Sequence, residues 1–320
     1  MMRKTRMFFL PLLAVLVAAT SLAGCSNGEP AASSSAAPTS SAESVAASES
    51  EPASSESSSV SGQITCAGSS ALQPLVQAAA DSFKEKNPDV SIMVNAGGSG
   101  QGLQNIADKT VDIGNSDLFA EEKLTSDKLT GLVDHIVCVV GVAAVVNPKV
   151  NVESVTKQQL IDIFSGKIKN WKEIGGNDQK IVIINRPASS GTRALFKQYA
   201  LDGKDEATGI ALTEDNSGIL KQNVAQTAGA IAYLAFSYLT DDMVKALSIE
   251  GVKPTYDNIY SGKYGVWGYE HMYTNGEPTG AVKAFLDYIQ SPDCEKIITD
   301  KGYGLSGKMT VKRDAPAPKK

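Results

Sequence analysis

Four short stretches of this chain hold the residue types that bind a small anion without a strongly basic surface. They are Gly68-Ser69-Ser70, Gly98-Ser99-Gly100, Ser116-Asp117 and Ser189-Ser190-Gly191-Thr192. Each reads as a turn between an apolar, strand-like run and a helical pattern. A helix start presents unpaired backbone N–H groups at the positive end of the helix dipole. A Ser or Thr hydroxyl adds a further donor, and Gly lets the backbone come close. Several such starts aimed at one point make an anion site. Arg186, four residues before Ser190, would add a bidentate grip on two oxygens. Taken singly, each Ser reads as an N-cap and each Gly as a turn; four turns plus an arginine read as a site.

Asp117 does not belong in an ordinary anion site, because a carboxylate repels an anion unless that anion carries a proton for it to accept. Phosphate near neutral pH carries one and sulfate does not, so Asp117 would select phosphate by leaving sulfate with an unpaired, repulsive contact. The structural alternative is that Asp117 caps the helix beginning near Ala120.

Other chemistry is poorly represented. The glycines at 97, 98, 100 and 102 match neither the dinucleotide spacing nor a P-loop. Ser189-Ser190-Gly191 lacks the flanking glycines of a nucleophile elbow. His135 and His271 read as core or surface residues. Cys66, Cys138 and Cys294 have no ligand spacing, although a Cys66–Cys138 bridge is conceivable after export; no metal and no cofactor is expected. Trp171 and Trp267 read as packing residues.

The elements that must position these turns are legible from periodicity. Gln63 to Ala67 reads as a strand. Leu72, Leu75, Val76, Ala79 and Phe83 then form one face of a helix, with Pro74 in its first turn. Val90 to Asn95 alternates as a strand, Leu103, Ile106 and Ala107 mark a second helix, and Val111 to Gly114 a third strand. Ile136 to Val146 is the longest β-branched run, either fully buried or crossing between domains. A second strand-and-helix unit follows: a helix at 157–164, a strand at 181–184, a helix through Ala194, Leu195 and Tyr199, and a strand at 229–235. Tyr264 to Tyr273 is strand-like and would return the chain to the first unit, which closes with helices at 281–290 and 293–301. This is an α/β pattern whose strands end at a common edge.

The N-terminal part follows different rules. Arg3, Lys4 and Arg6 precede an uncharged run from Met7 to Ala19, ending in Leu22-Ala23-Gly24-Cys25. This reads as an export signal over residues 1–24, and its last four residues resemble the bacterial lipobox, in which the Cys is acylated. Two or more acyl chains would hold the protein on a bilayer stably. Residues 25–61 read as a disordered tether: from Ser26 to Ser61 there are 15 Ser, 8 Ala and 5 Glu with no Lys or Arg, too little apolar surface to offset ordering entropy. Across the whole chain, 30 basic residues face 35 acidic ones. That balance offers no basic face for nucleic acid.

Together these residues resemble the phosphate-binding lipoproteins of bacterial phosphate-specific ABC transporters. The matching pieces are Ala67-Gly-Ser-Ser-Ala-Leu-Gln-Pro, Gly98-Ser-Gly-Gln-Gly, Asp112-Ile-Gly-Asn-Ser-Asp117, Arg186-Pro-Ala-Ser-Ser-Gly-Thr192 and Gly229-Ala-Ile-Ala-Tyr-Leu. The resemblance implies a two-lobed, type II periplasmic-binding-protein-like clamshell with two hinge crossovers. Lobe 1 would be residues 62–140 plus 268–320, and lobe 2 residues 141–267. It implies phosphate held by Ser70 with the Ala71 amide, Ser99, Asp117, Arg186, Ser190, the Gly191 amide and Thr192. It further implies a monomeric, non-enzymatic protein, lipid-anchored through Cys25 outside the membrane, that delivers phosphate to permease subunits. The alternatives are a binding protein for sulfate or molybdate, or a tethered phosphate sensor or adhesin. One position departs from the pattern: many family members carry an acid two residues after the arginine, where this chain has Ala188. Something else must steer Arg186.

Overall fold

The computed structural model describes residues 60–209 and 211–318. The export signal, Cys25 and residues 26–59 of the tether lie outside the described residues. The chain opens with β1 (Gly62–Ser69), α1 (Gln73–Lys86), β2 (Val90–Gly97), α2 (Ser99–Ala107) and β3 (Ile113–Ser116). The long β4 (Leu132–Val146) leads into β5 (Ser154–Val155), α3 (Lys157–Phe164), β6 (Val182–Asn185) and α4 (Gly191–Ala200). Next come β7 (Leu212–Thr213), α5 (Ser217–Gln226), β8 (Ala230–Ala235), β9 (Lys245–Ala246), β10 (Ser248–Ile249) and α6 (Tyr256–Tyr260). β11 (Trp267–Asn275), α7 (Gly280–Ile289) and α8 (Pro292–Asp300) complete the chain. This is the mixed α/β fold that the sequence pattern predicts.

One mixed sheet runs β2-β1-β3-β11-β4-β8-β6-β7, with β9 paired to β4 and a separate β5–β10 pair. β1 pairs in parallel with β2 and β3, and β6 with β8, whereas β11 and β4 run antiparallel to their neighbours. β4 is the continuous element. Its residues up to Gly141 pair with β11, and Val142 to Val146 pair with β8. This apolar, largely β-branched run therefore crosses from the first strand group to the second, and its second half is buried throughout. β11 brings the chain back beside β3, as expected.

Two main cores flank this crossing. One gathers Leu72, Leu75, Val76, Ala79 and Phe83 of α1 with Ile64, Cys66, Phe285 and Ile298; half-buried Val60, at the end of the predicted tether, packs on it. The other gathers Val142–Val146 with Ile183, Phe196, Tyr233 and Trp171. All five residues of the α1 stripe are buried, each large side chain contributing about 1.5–3 kcal/mol. Cys66, Cys138 and Cys294 are buried free thiols, so the conceivable Cys66–Cys138 bridge is not formed. Burial pushes the Cys66 thiol up to about 12. Trp171 and Trp267 are buried, Trp171 donating through Nε1 to the Gly229 carbonyl at 3.0 Å.

Candidate functional site

The strands β1, β2, β3 and β6 each end in one of the turns picked out by residue type. Gly68, at φ +135°, occupies a backbone conformation that a side chain rarely adopts, and a Cβ there would lie 2.9 Å from the Gly102 Cα. That close approach packs the β1 turn against the start of α2. α2 begins at Ser99 after Gly98, and α4 begins at Gly191 after Ser190. The first-turn amides of Gly191 and Thr192 have no acceptor within their own helix.

Asp117 is 2% exposed. Its carboxylate accepts hydrogen bonds from the hydroxyls of Ser69, Ser99 (3.1 Å) and Thr192 (2.8 Å), while its own N–H donates to Ser99 Oγ at 3.0 Å. Three hydroxyls from three separate turns thus converge on one acid. The capping alternative is not adopted: the short helix at 120–122 follows Phe119, whose N–H donates to Glu122 at 3.2 Å.

The neighbouring serines divide the work. Ser69 Oγ accepts from the Ala71 and Leu72 amides at 3.0 and 3.1 Å, a local side-chain turn that starts α1. The Ala71 amide, expected to face the ligand, is thereby engaged by Ser69. Ser70 Oγ lies 2.9 Å from Ser217 Oγ and accepts from Arg186 Nη2 at 3.1 Å. Ser190 Oγ accepts from the Arg193 amide at 3.2 Å and caps α4.

Arg186 is 1% exposed. Its Nη1 donates to Ser217 Oγ at 3.1 Å, its Nη2 donates to the Asp215 carbonyl, and the Asp215 carboxylate lies 3.6 Å away. The acid missing at Ala188 is therefore replaced from another turn, 29 residues along the chain from Arg186. Arg186 Nε is buried without a partner. An orphaned guanidinium donor is costly unless an acceptor comes to it. The Arg186 backbone is fixed too: its N–H donates to Tyr233 OH at 3.1 Å, and that hydroxyl donates to Glu206 at 2.9 Å. Burial raises the Glu206 pKa, with the charge of Arg193 opposing. Burial and Glu206 together hold the Tyr233 phenol far above its usual range.

These contacts join the two strand groups. Thr192 meets Asp117, Arg186 meets Ser70, and the Gly100 amide donates to the Ser189 carbonyl at 2.9 Å. Gly191 sits where they touch: a Cβ there would fall 2.8 Å from Ser99 Cβ and 2.9 Å from Asp117 Cβ.

Sequence reasoning missed Asp215, Ser217 and Glu270, and within the Gly68-Ser69-Ser70 turn it assigned the ligand contact to Ser70 rather than Ser69. The first two had a readable signal. Glu214-Asp215-Asn216-Ser217-Gly218 precedes the apolar positions Leu220 and Val224 of α5, the same polar-turn-then-helix pattern, and Asn216 caps that helix. Glu270 lies in β11, 0% exposed, one acid in an aromatic strand. His271 is equally buried and bonds Asp134 at 2.9 Å; His135 lies 3.1 Å from Thr274 Oγ1. No cluster that could hold a metal ion occurs among the described residues.

Residues 53–293 match the family model of the PBP superfamily domain. The chain is 58% identical to the phosphate-binding protein PstS of Bacillus subtilis over 80% of this chain and 84% of that one. It superposes on a phosphate ABC transporter substrate-binding protein with bound phosphate from Clostridium perfringens with a TM-score of 0.71. Identity there is 33%, over 76% of this chain and 99% of that chain. An ABC-type phosphate transport receptor from Vibrio cholerae gives a TM-score of 0.61 at 29% identity, over 76% and 99% of the two chains.

Proposed function

The chain belongs to the phosphate-binding proteins of the PBP superfamily, and on that premise we propose that it captures inorganic phosphate outside the cytoplasmic membrane and hands it to an ABC permease. It performs no chemistry on its ligand. The observation that carries this reading is the convergence of the Ser69, Ser99 and Thr192 hydroxyls on buried Asp117, with Arg186 bound one residue away at Ser70.

In this reading residues 62–140 and 268–320 form one lobe and 141–267 the other, with β4 and β11 as the two crossovers. The first lobe offers Ser70, Ser99 and Asp117, the Ala71 amide being engaged by Ser69; the second offers Arg186, Ser190, the Gly191 amide and Thr192, to which Ser217 is added. Arg186 supplies the positive charge, and its orphaned Nε is the donor that waits for an oxygen. Hydroxyls that bond each other or Asp117 turn toward the anion as it enters. Asp117 accepts the phosphate proton. Sulfate has none to give, so it would meet a buried carboxylate with nothing between them. The resemblance at Cys25 supports a lipid anchor, and the contacts described here form within a single chain.

Calorimetric titration of the purified protein tests the reading. Phosphate is expected to bind with a Kd of about 1 μM or tighter, roughly −8 kcal/mol. Sulfate is expected to bind at least about 100-fold more weakly, the worth of one charge-assisted hydrogen bond lost and one charge left facing another. Equal affinities for the two ions would overturn the reading.

A further inference from the structure

Behind Asp117 lies a second carboxyl that ligand binding as described does not use. Glu270 is 0% exposed, and neither of its oxygens is reached by a hydrogen-bond donor. It sits at a β-bulge. Glu270 pairs with Cys138 but His271 pairs with Ile136, leaving Val137 as an extra residue in β4. Bulges of this kind re-aim side chains beside functional sites. The antiparallel β11–β3 ladder pairs His271 with Ser116, so the next residues along, Glu270 and Asp117, lie side by side.

The other titratable groups facing Glu270 are Cys138 on β4, Tyr238 in the turn after β8, Tyr256 on α6, and Tyr303 after α8. None of these is basic. Each of the three phenols donates its proton elsewhere: Tyr238 to the Ser70 carbonyl at 2.7 Å, Tyr256 to the Gly302 carbonyl at 2.9 Å, and Tyr303 to the Ala71 carbonyl. Burial holds the Cys138 thiol neutral. Two adjacent carboxyls in such an interior cannot both ionise. Asp117 receives three hydroxyl donors and Glu270 receives none, so the negative charge settles on Asp117 and the proton on Glu270.

We propose that Glu270 is a positioning residue for anion selection: a neutral carboxylic acid that donates its O–H to Asp117 and so keeps Asp117 an ionised acceptor facing the ligand. This rests on Asp117 being the ligand-facing carboxylate. Burial and the Asp117 charge both push the Glu270 pKa well above its ordinary value, in the direction the geometry requires. An incoming phosphate dianion then meets one negative charge in the pair, where an ionised Glu270 would present two. Loss of the Glu270 donor would leave the Asp117 carboxylate held only by the three hydroxyls, free to turn from the ligand, so that it distinguishes phosphate from sulfate less well.

The test compares the full protein with Glu270→Gln, Glu270→Leu and Asp117→Asn. At neutral pH the infrared spectrum of the parent, minus that of E270Q, should contain the carbonyl band of a neutral carboxylic acid, which moves when inorganic phosphate is added. At neutral pH the phosphate-to-sulfate affinity ratio of E270L should be about tenfold below that of the parent, the worth of one charge-assisted hydrogen bond. E270Q, whose amide can still donate to Asp117, should restore it. Absence of the neutral-acid band, or an E270L ratio equal to the parent's, would overturn the proposal. If E270L does not fold, the infrared comparison decides alone. D117N separates the two claims: a D117N ratio equal to the parent's removes the ligand role of Asp117, whereas an altered D117N with a parent-like E270L removes only the role of Glu270.

Discussion

Gly191→Ala separates folding from closing. Gly191 lies outside the left-handed region of backbone space, and it is the first residue of α4, so alanine fits the helix at least as well as glycine. The obstacle comes only from across the site. The added Cβ would stand 2.8 Å from Ser99 Cβ and 2.9 Å from Asp117 Cβ, where ordinary contact begins at 3.4 Å. The nearest atom, Ser99 Oγ, could rotate away only by giving up its bond to Asp117, and neither Cβ can move without its backbone. The strand groups must part by about 0.6 Å, the shortfall in the tighter contact (3.4 less 2.8). The Thr192–Asp117 bond at 2.8 Å, the Arg186–Ser70 bond at 3.1 Å and the Gly100–Ser189 bond at 2.9 Å all stretch together. Hydrogen bonds with one charged partner are worth about 1.5–3 kcal/mol and a neutral one about 0.5–1.5. Partial loss of all three comes to about 3–4 kcal/mol, a roughly 100–1,000-fold weaker phosphate Kd by calorimetry. With the lobes parted, as the two-lobed reading expects without phosphate, these contacts are not made, and thermal unfolding should then stay within about 0.5 kcal/mol of the parent or improve, because glycine no longer weakens the helix. A G191A protein that binds phosphate as tightly as the parent would refute the idea that these two surfaces meet when the ligand is held.

Ser217→Ala removes an acceptor of Arg186 and a partner of Ser70; phosphate affinity should fall roughly 5- to 20-fold, about 1–2 kcal/mol, and calorimetry with parent-like affinity would remove Ser217 from the site. Tyr233→Phe leaves the Arg186 amide and buried Glu206 each short of a partner, and should lower unfolding stability by about 1–3 kcal/mol in denaturant titrations. Glu270→Gln should change how stability depends on pH. The folded state raises the Glu270 pKa, so the contribution of the parent's acid is complete below the ordinary Glu value near 4.3 and is lost as pH rises toward the folded pKa. Over that window the parent should fall behind E270Q by about 1.4 kcal/mol per pH unit. Parallel stability curves from about pH 4.5 to pH 8 would show that Glu270 titrates normally.

The elements that surround the site were legible because local rules decide them. The α1 stripe is an i, i+3, i+4 pattern with proline in its first turn, and the β4 run is too β-branched and too long for anything but a buried crossing strand. Asp117 stood out because a carboxylate is out of place among anion-binding turns, with helix capping as its alternative, and Arg186 because it ends a strand four residues before such a turn. What sequence could not supply was pairing across the fold. Asp215 and Ser217 reach Arg186 from a turn 29 and 31 residues along the chain, although that turn repeats the pattern of the others. Ser69 and Ser70 are adjacent and chemically identical, yet one bonds Asp117 and the other receives Arg186. Only the exit angle of the chain from β1 distinguishes them. Glu270 was hidden for another reason: β-strand alternation predicts one of two adjacent residues inward, but β11 lies inside the sheet and is buried on both faces from Trp267 to Thr274, so Glu270 and His271 are both interior.

The central claim is that a buried carboxylate reads the hydrogen on the anion. Competition between sulfate and phosphate for Asp117→Asn, measured by calorimetry beside the parent, tests it most directly. The amide can donate a hydrogen bond where the carboxylate could only accept. Phosphate should therefore bind D117N about 10- to 100-fold more weakly, while sulfate binds it more tightly than it binds the parent. The same phosphate-to-sulfate ratio in both proteins would contradict the account.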